Sequence, residues 1–308
     1  MWTHRYALGE IVLPSELKHY SLRSRSYRVG EVVRSLPRSK EGIIGLAIVL
    51  LFFTVTVAVV ASDTIGIRIT PYDPTKQNVG KPLSPPSGSH LFGTDPLGRD
   101  VFSRIVVSTP NDVTVSLGVV FVAFSVGAII GSVAAFKGGL TDESLMRFTD
   151  VIFSLPALVL AMAISVALGR GVSNMMVALL IIWWPPYARL ARGEALKISH
   201  QNFIEAARIS GQGTTMIIFR HVLPNIFGTM LVYATLDVGT VILVYSGLSY
   251  LGLSVTPPQP DWGEMVSAYQ SYLLVAPWLP VLPGLIIAIG VVGFSLLGDG
   301  MRDILELR

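Results

Sequence analysis

Among the acids of this 308-residue chain, Asp237 has the surroundings that most need a reason: it is the only charged residue between His221 and Asp261. Two carboxylates sharing a proton can activate water, as in an intramembrane aspartyl protease, and the candidate mates are Asp150 and Asp299. Both stand at the edges of apolar runs rather than inside them, which makes this the weakest chemistry open to the chain. A single carboxylate in such a run either engages a cationic group along a path through the protein or accepts hydrogen bonds from a neighbouring helix. Other chemistries are poorly supplied. There is no cysteine, and the five histidines, His4, His19, His90, His200 and His221, have no paired metal-ligand spacing. Gly80-Lys81 is followed by Pro82 and lacks the first glycine of a phosphate loop, so the chain has no means of binding and hydrolysing ATP alone.

The elements that hold Asp237 follow from composition. Hydrophobic residues make up 51% and charged residues 14%, against about 25% charged in an average soluble domain. An ordinary water-soluble enzyme is therefore excluded, and a dispersed net charge of +3 is too weak for a nucleic-acid binder. Uncharged runs long enough to cross about 30 Å of hydrocarbon occur at 43–61, 113–136, 151–169, 171–188, within 226–255, and at 273–298. The expected fold is an all-α integral membrane protein with six transmembrane helices in the cell membrane, its bilayer the first partner. Asp237 lies in the fifth. No sequence repeat is apparent, so nothing favours the inverted repeats of a secondary transporter.

Lys and Arg set the orientation. With the N-terminus cytoplasmic, that side collects 17 of the 23: 8 in residues 1–42, 2 between spans two and three, 5 in 189–220 and 2 at the C-terminus. The positive-inside rule therefore puts both termini in the cytoplasm. The chain divides into a basic segment 1–42, a first helix 43–61, an exterior loop 62–112 and a membrane core 113–308 that contains a cytoplasmic loop, 189–224. Arg23, Arg25, Arg28, Arg34, Arg38 and Lys40 of the lead also attract anionic headgroups. Seven prolines in the exterior stretch, Pro110 the last, argue for a loop of fixed shape. Gly127 and Gly131 permit close helix approach, best read as packing within the subunit. Pro156, Pro277, Pro280 and Pro283 should kink or break spans three and six.

The cytoplasmic loop carries local signals of its own. Asn202 followed by Glu205 has the form of a capping box, and Gly211 suits the C′ position that ends a helix. Ala206 and Ala207 give that short helix little bulk, so another protein surface can approach its backbone. Pro224 marks a first turn before the fifth span.

The spacing Glu205-Ala206-Ala207, Gly211, then Val222-Leu223-Pro224 resembles the EAA loop of ABC-importer permeases. The run Gly93-Thr-Asp-Pro-Leu-Gly-Arg-Asp-Val-Phe-Ser-Arg104, Pro71-Tyr-Asp-Pro74, Gly138-Gly139 through Arg147, Leu248-Ser-Tyr-Leu-Gly-Leu253, and Leu297-Gly-Asp-Gly-Met-Arg-Asp303 are similar to the dipeptide/oligopeptide and nickel group, C-type subunit. The resemblance covers about residues 40–308. It implies a type I permease fold, a second permease chain, two cytoplasmic ATPase subunits that carry the ATP and magnesium, and an external solute-binding protein. It implies peptides as solutes, with oligosaccharides or nickel chelates as the alternative. It also implies that Asn202, Glu205, Ala206, Ala207, Gly211, Leu223 and Pro224 form the coupling element, with no catalytic, cofactor or metal residue in this chain. Two departures bear on the solute: many relatives carry glutamate where Tyr245-Ser246 stands here, and small or apolar residues where Asp237 stands. Asp237 and Tyr245 are thus the candidate path residues.

Overall fold

The computed structural model describes residues 39–306, with side chains to 303. The arginine-rich lead, its roles in topology and headgroup binding, and His4 and His19 lie outside the described residues. Ten α-helices make up the described part: α1 (Lys40–Ile65), α2 (Val101–Lys137), α3 (Gly139–Phe153), α4 (Ala157–Leu168), α5 (Val172–Ser199), α6 (Asn202–Ile209), α7 (Thr214–Ile217), α8 (Leu223–Tyr250), α9 (Trp262–Tyr269) and α10 (Trp278–Glu306). Among the described residues the only β pairing is one bridge between Thr94 and Asp100. Four helical runs are long and apolar enough to cross a membrane: α1, α2, Thr214–Tyr250 and α10. A fifth arises if α3 and α4, bent by 83° at their junction, are counted as one span.

The helices depart from the hydropathy boundaries in ways that side-chain chemistry explains. The loop expected over 62–112 is confined to 66–100, because α2 starts at Val101. Asp100 caps that start, its carboxylate accepting from the Ser103 amide at 2.8 Å. The first turns of α2 contain Ser103, Arg104, Ser108, Thr109 and Asp112, all buried with their polar groups inside the subunit. Such residues depress hydropathy without exposing polarity to lipid, so the run reads as a loop. Pro110, expected in the loop, stands inside α2.

Span three is not one helix. Pro156 supplies no amide donor and pushes the residue before it out of the helical region, and the chain breaks at Ser154–Pro156. The 12-residue α4 is about 18 Å long, shorter than a membrane core. By contrast α5 runs 28 residues, past the expected end at 188 and through Pro185 and Pro186. The fifth run ends at Tyr250 rather than 255, and α10 begins at Trp278, with 273–277 in turns.

The core is built on close helix pairs. α2 packs along α5, while α1 and α8 both pack on α10. Gly127 and Gly131 are what let α2 approach α5: a Cβ on Gly127 would lie 2.3 Å from the Tyr187 Cβ, and one on Gly131 2.2 Å from the Ala188 carbonyl oxygen. The glycine stripe thus packs inside the subunit, as its sequence suggests.

Candidate translocation path and coupling surface

The α2–α5 contact fixes the place of Tyr187, and Tyr187 fixes Asp237. Tyr187 is fully buried, edge-on to Tyr233 at 5.1 Å. Its hydroxyl donates to Asp237 Oδ2 at 2.9 Å, and Trp183 Nε1, one turn earlier on α5, donates to the same oxygen at 2.6 Å. Asp237 is 14 residues after the start of α8 and 13 before its end, so these bonds cross between helices near mid-length. A charged residue at a span centre costs about 2.5–3.5 kcal/mol on insertion scales. Two interhelical hydrogen bonds at about 0.6–1.7 kcal/mol each offset most of that, not all. The carboxylate borders a cavity of about 130 Å³ between α5 (Ile182, Trp183, Pro186) and the α3–α4 break (Phe153, Leu155, Ala157).

The acids considered as mates for Asp237 do not line its cavity. Asp150 is bound by Arg189, whose guanidinium also lies 4.0 Å over the Phe153 ring. Asp299 is on the exposed face of α10. Among the described residues no second carboxylate shares the Asp237 cavity.

Tyr245 does not reach that cavity. It is fully buried, and its hydroxyl donates to Asp261 Oδ2 at 2.9 Å. Ser254 also bonds Oδ2, Ser249 and the Gly263 amide bond Oδ1, and Ser246 donates to Asp112 at 3.2 Å. Tyr245 therefore has no surface to offer a solute in this conformation; it ties the end of α8 to the cap of α9.

The Gly93–Arg104 motif turns out to be the other half of the same clasp. Asp95 Oδ2 accepts from Arg99 Nε at 2.6 Å and from the Tyr269 hydroxyl at 3.0 Å. His90 Nδ1 lies 2.9 Å from Asp100 Oδ1, and its ring stacks on Tyr72 at 4.7 Å. Arg104, 1% exposed, donates to the carbonyls of Pro74 at 3.0 Å and Pro258 at 3.2 Å, with Glu264 at 3.7 Å. Burial raises the Glu264 carboxyl above the ordinary glutamate value, against the pull of the Arg104 charge. At half-buried Asp73 the Thr75 hydroxyl and amide act the other way and lower the carboxyl. Sequence reasoning saw this motif only as a resemblance, because its partners come from distant turns.

At the other end of the bundle, α6 is a short helix folded back against the subunit. Ile204 and Ala207 are its buried side. Asn202, Glu205, Ala206, Arg208 and Ile209 are exposed, Ile209 to 88%. Two expectations are corrected. Gln201, not Asn202, is the N-cap, and it makes no side-chain cap bond, so the capping box does not form. Ala207 packs inward, which leaves Ala206 alone as the small outward residue. Gly211 does occupy the left-handed position past the helix, at φ +79°, with its amide on the Arg208 carbonyl and the Gln212 amide on the Ala207 carbonyl. Leu223 and Pro224 open α8 directly after a π turn, Ile218–Val222. A proline that cannot donate and whose ring crowds the preceding turn accounts for that widening. Met216 and Phe219, which follow α6 in the chain, are 52% and 56% exposed.

Comparison with known proteins places this arrangement. Residues 127–308 match the family described as the binding-protein-dependent transport system inner membrane component. The probable D,D-dipeptide transport system permease protein DdpC of Escherichia coli (strain K12) is 39% identical over 235 residues, covering 76% of this chain and 79% of that protein. The glutathione transport system permease protein GsiD of Pectobacterium atrosepticum is 38% identical over 221 residues, covering 72% and 73%. In structure, the chain is similar to one from inward-facing conformations of the MetNI methionine ABC transporter, with a TM-score of 0.54 at 18% identity, over 67% of this chain and 97% of that one. The chain belongs to the binding-protein-dependent transport system inner membrane components and is a permease with the type I ABC-importer fold.

Proposed function

We propose that this chain is the C-type permease of an ATP-driven importer of short peptides. It pairs with a second permease, and an external solute-binding protein delivers the solute. Two ATPase subunits carry ATP and magnesium on the cytoplasmic side, and this chain catalyses nothing by itself. The chain crosses the inner membrane six times, with α3–α4 and the apolar first half of α5 as the third and fourth crossings, and both termini are cytoplasmic. The coupling element comprises Asn202, Glu205, Ala206, Ala207, Gly211, Leu223 and Pro224, and the path runs past Asp237. Peptide transport is favoured over oligosaccharides or nickel chelates by the relatives, which are named as dipeptide and glutathione permeases.

The observation that carries the coupling assignment is the exposed apolar end of α6. Ile209, Met216 and Phe219 are exposed apolar side chains within one short stretch of chain at the end of α6 and just after it, and exposed apolar surface suits a protein contact. The Arg192–Asp142 pair, at 2.6 and 2.5 Å, clamps α5, whose end leads into α6, to α3. A push on α6 is therefore delivered to helices already held together. Reconstitution of the two permeases, the ATPases and the binding protein in proteoliposomes tests the reading. ATP-driven uptake of a dipeptide that stops on Ile209→Asp supports it; wild-type vesicles without ATP-driven uptake refute it.

A further inference from the structure

Asp237 uses only half of its carboxylate. Oδ2 takes both donors, from Trp183 and Tyr187, whereas Oδ1 accepts nothing among the described residues. Oδ1 is also absent from the polar atoms sealed away from solvent without a partner. The carboxylate lines the cavity at the α3–α4 break, whose other walls are apolar apart from the Trp183 indole. Among the described residues no basic side chain lines that cavity, and Arg189 and Arg192, the basic residues of α5 nearest in sequence to Trp183, are bound to Asp150 and Asp142 of α3. Hydrocarbon is not a tolerable neighbour for an open carboxylate oxygen, so this cavity faces an aqueous path or the partner permease. At about 130 Å³, against about 30 Å³ for one water, it has room for an ammonium group and its first carbons, not for a whole peptide.

We propose that Asp237 Oδ1 is an ammonium subsite of the translocation path, taking the primary ammonium group of the passing solute while Trp183 and Tyr187 hold the carboxylate in place. This rests on the permease reading given above and narrows its substrate class to solutes with a free amino group. The chain's lack of cysteine gives a direct test. Ala157 is exposed, lines the cavity, and follows the helix break, so Ala157→Cys adds a single thiol with little change in packing. In the assembled complex in proteoliposomes, this thiol is labelled with 2-(trimethylammonium)ethyl methanethiosulfonate and, separately, with the anionic 2-sulfonatoethyl reagent.

The cationic-to-anionic rate ratio should fall about tenfold when Asp237→Asn is added, a modest share of what one unit charge contributes at contact range. Asp237→Glu should keep most of the ratio, and ethylammonium chloride should slow cationic labelling only when the carboxylate is present. An equal ratio with Asp237 and with Asp237→Asn overturns the proposal, as does a thiol inert to both reagents in every nucleotide state. Labelling is read without transport. A failed permease reading would show instead as absent ATP-driven dipeptide uptake in the same vesicles.

Discussion

Replacing Gly211 separates backbone strain from bulk at the α6 surface. Its φ of +79° lies in the left-handed region, and a Cβ built there meets nothing within 4 Å. The penalty of Gly211→Ala is therefore conformational, about 1–2 kcal/mol for an L residue. It falls on the turn that carries the Gly211–Arg208 and Gln212–Ala207 hydrogen bonds. At 1.4 kcal/mol per factor of ten, α6 should be displaced about 5–30-fold more often, and its affinity for the ATPase subunits should drop by a similar factor. Asparagine tolerates this region better than other non-glycine residues, so the expected order is Gly, then Asn, then Ala. Gly193→Ala serves as the control. Gly193 is inside α5, also with nothing within 4 Å, and alanine there should favour the helix by up to about 1 kcal/mol. Binding is measured between purified ATPase subunits and the permease pair in nanodiscs, and uptake in vesicles of the same preparation. Wild-type binding and uptake by Gly211→Ala would refute the reasoning, as would an equal loss in the Gly193→Ala control.

Gly131→Ala places a Cβ 2.2 Å from the Ala188 carbonyl oxygen, so α2 and α5 must part. Overpacking of this kind costs about 1–3 kcal/mol, and the melting temperature of the detergent-purified chain should fall, an unchanged value contradicting the close approach. Arg104→Met leaves the Pro74 and Pro258 carbonyls and Glu264 without their buried cation. A loss of about 3–5 kcal/mol is expected, read as collapse of the monodisperse peak in size-exclusion chromatography, and a variant as stable as wild type would remove the clasp from the account. The pH dependence at Glu264 follows from its raised carboxyl. With the folded value above the unfolded one, its contribution is fully present below the unfolded value and is lost as pH rises through the folded value. The melting-temperature difference between wild type and Glu264→Gln should accordingly favour wild type most in acid and shrink as pH rises; a difference that widens with pH would contradict the burial of this group.

Local features were legible in the sequence where one short segment contains the whole cause. Gly211 needs only its own backbone to end α6, and Gly127 and Gly131 announce a close helix contact by their spacing. Asp237 is conspicuous because nothing near it in sequence is charged. What stayed hidden depends on residues far apart in the chain. Arg104 finds Pro258 across 154 positions, and Tyr269 finds Asp95 across 174. Without those partners the polar start of α2 resembles a loop, and the boundary at 113 falls twelve residues late. The α3–α4 break was hidden for a different reason: hydropathy sums side chains, whereas Pro156 acts on the backbone. The capping box failed although its residues are present, because the chain starts α6 one residue earlier, at a Gln201 cap.

Three buried or half-buried acids on the membrane core are treated in different ways, and the difference bears on where movement is possible. Asp112 and Asp261 are both fully buried. Asp261 is saturated by hydroxyls from Tyr245, Ser249 and Ser254 and by the Gly263 amide. Asp112 takes Ser246, and its remaining oxygen is sealed in. Gly263 closes this region further, since a Cβ there would lie 2.0 Å from the Ser246 carbonyl oxygen. Separating α8 from α9 would strip several hydrogen bonds from buried carboxylates at once, so this end of α8 moves as one body with α9. Asp237, halfway along the same helix, is bonded only to α5 and opens on the side where α3 and α4 are already broken. Rearrangement at that break exposes no new backbone ladder, because Pro156 has removed the donor. A rigid end and a compliant middle on one helix put the adjustable part of the proposed path beside Asp237, between the clasp and the α6 surface.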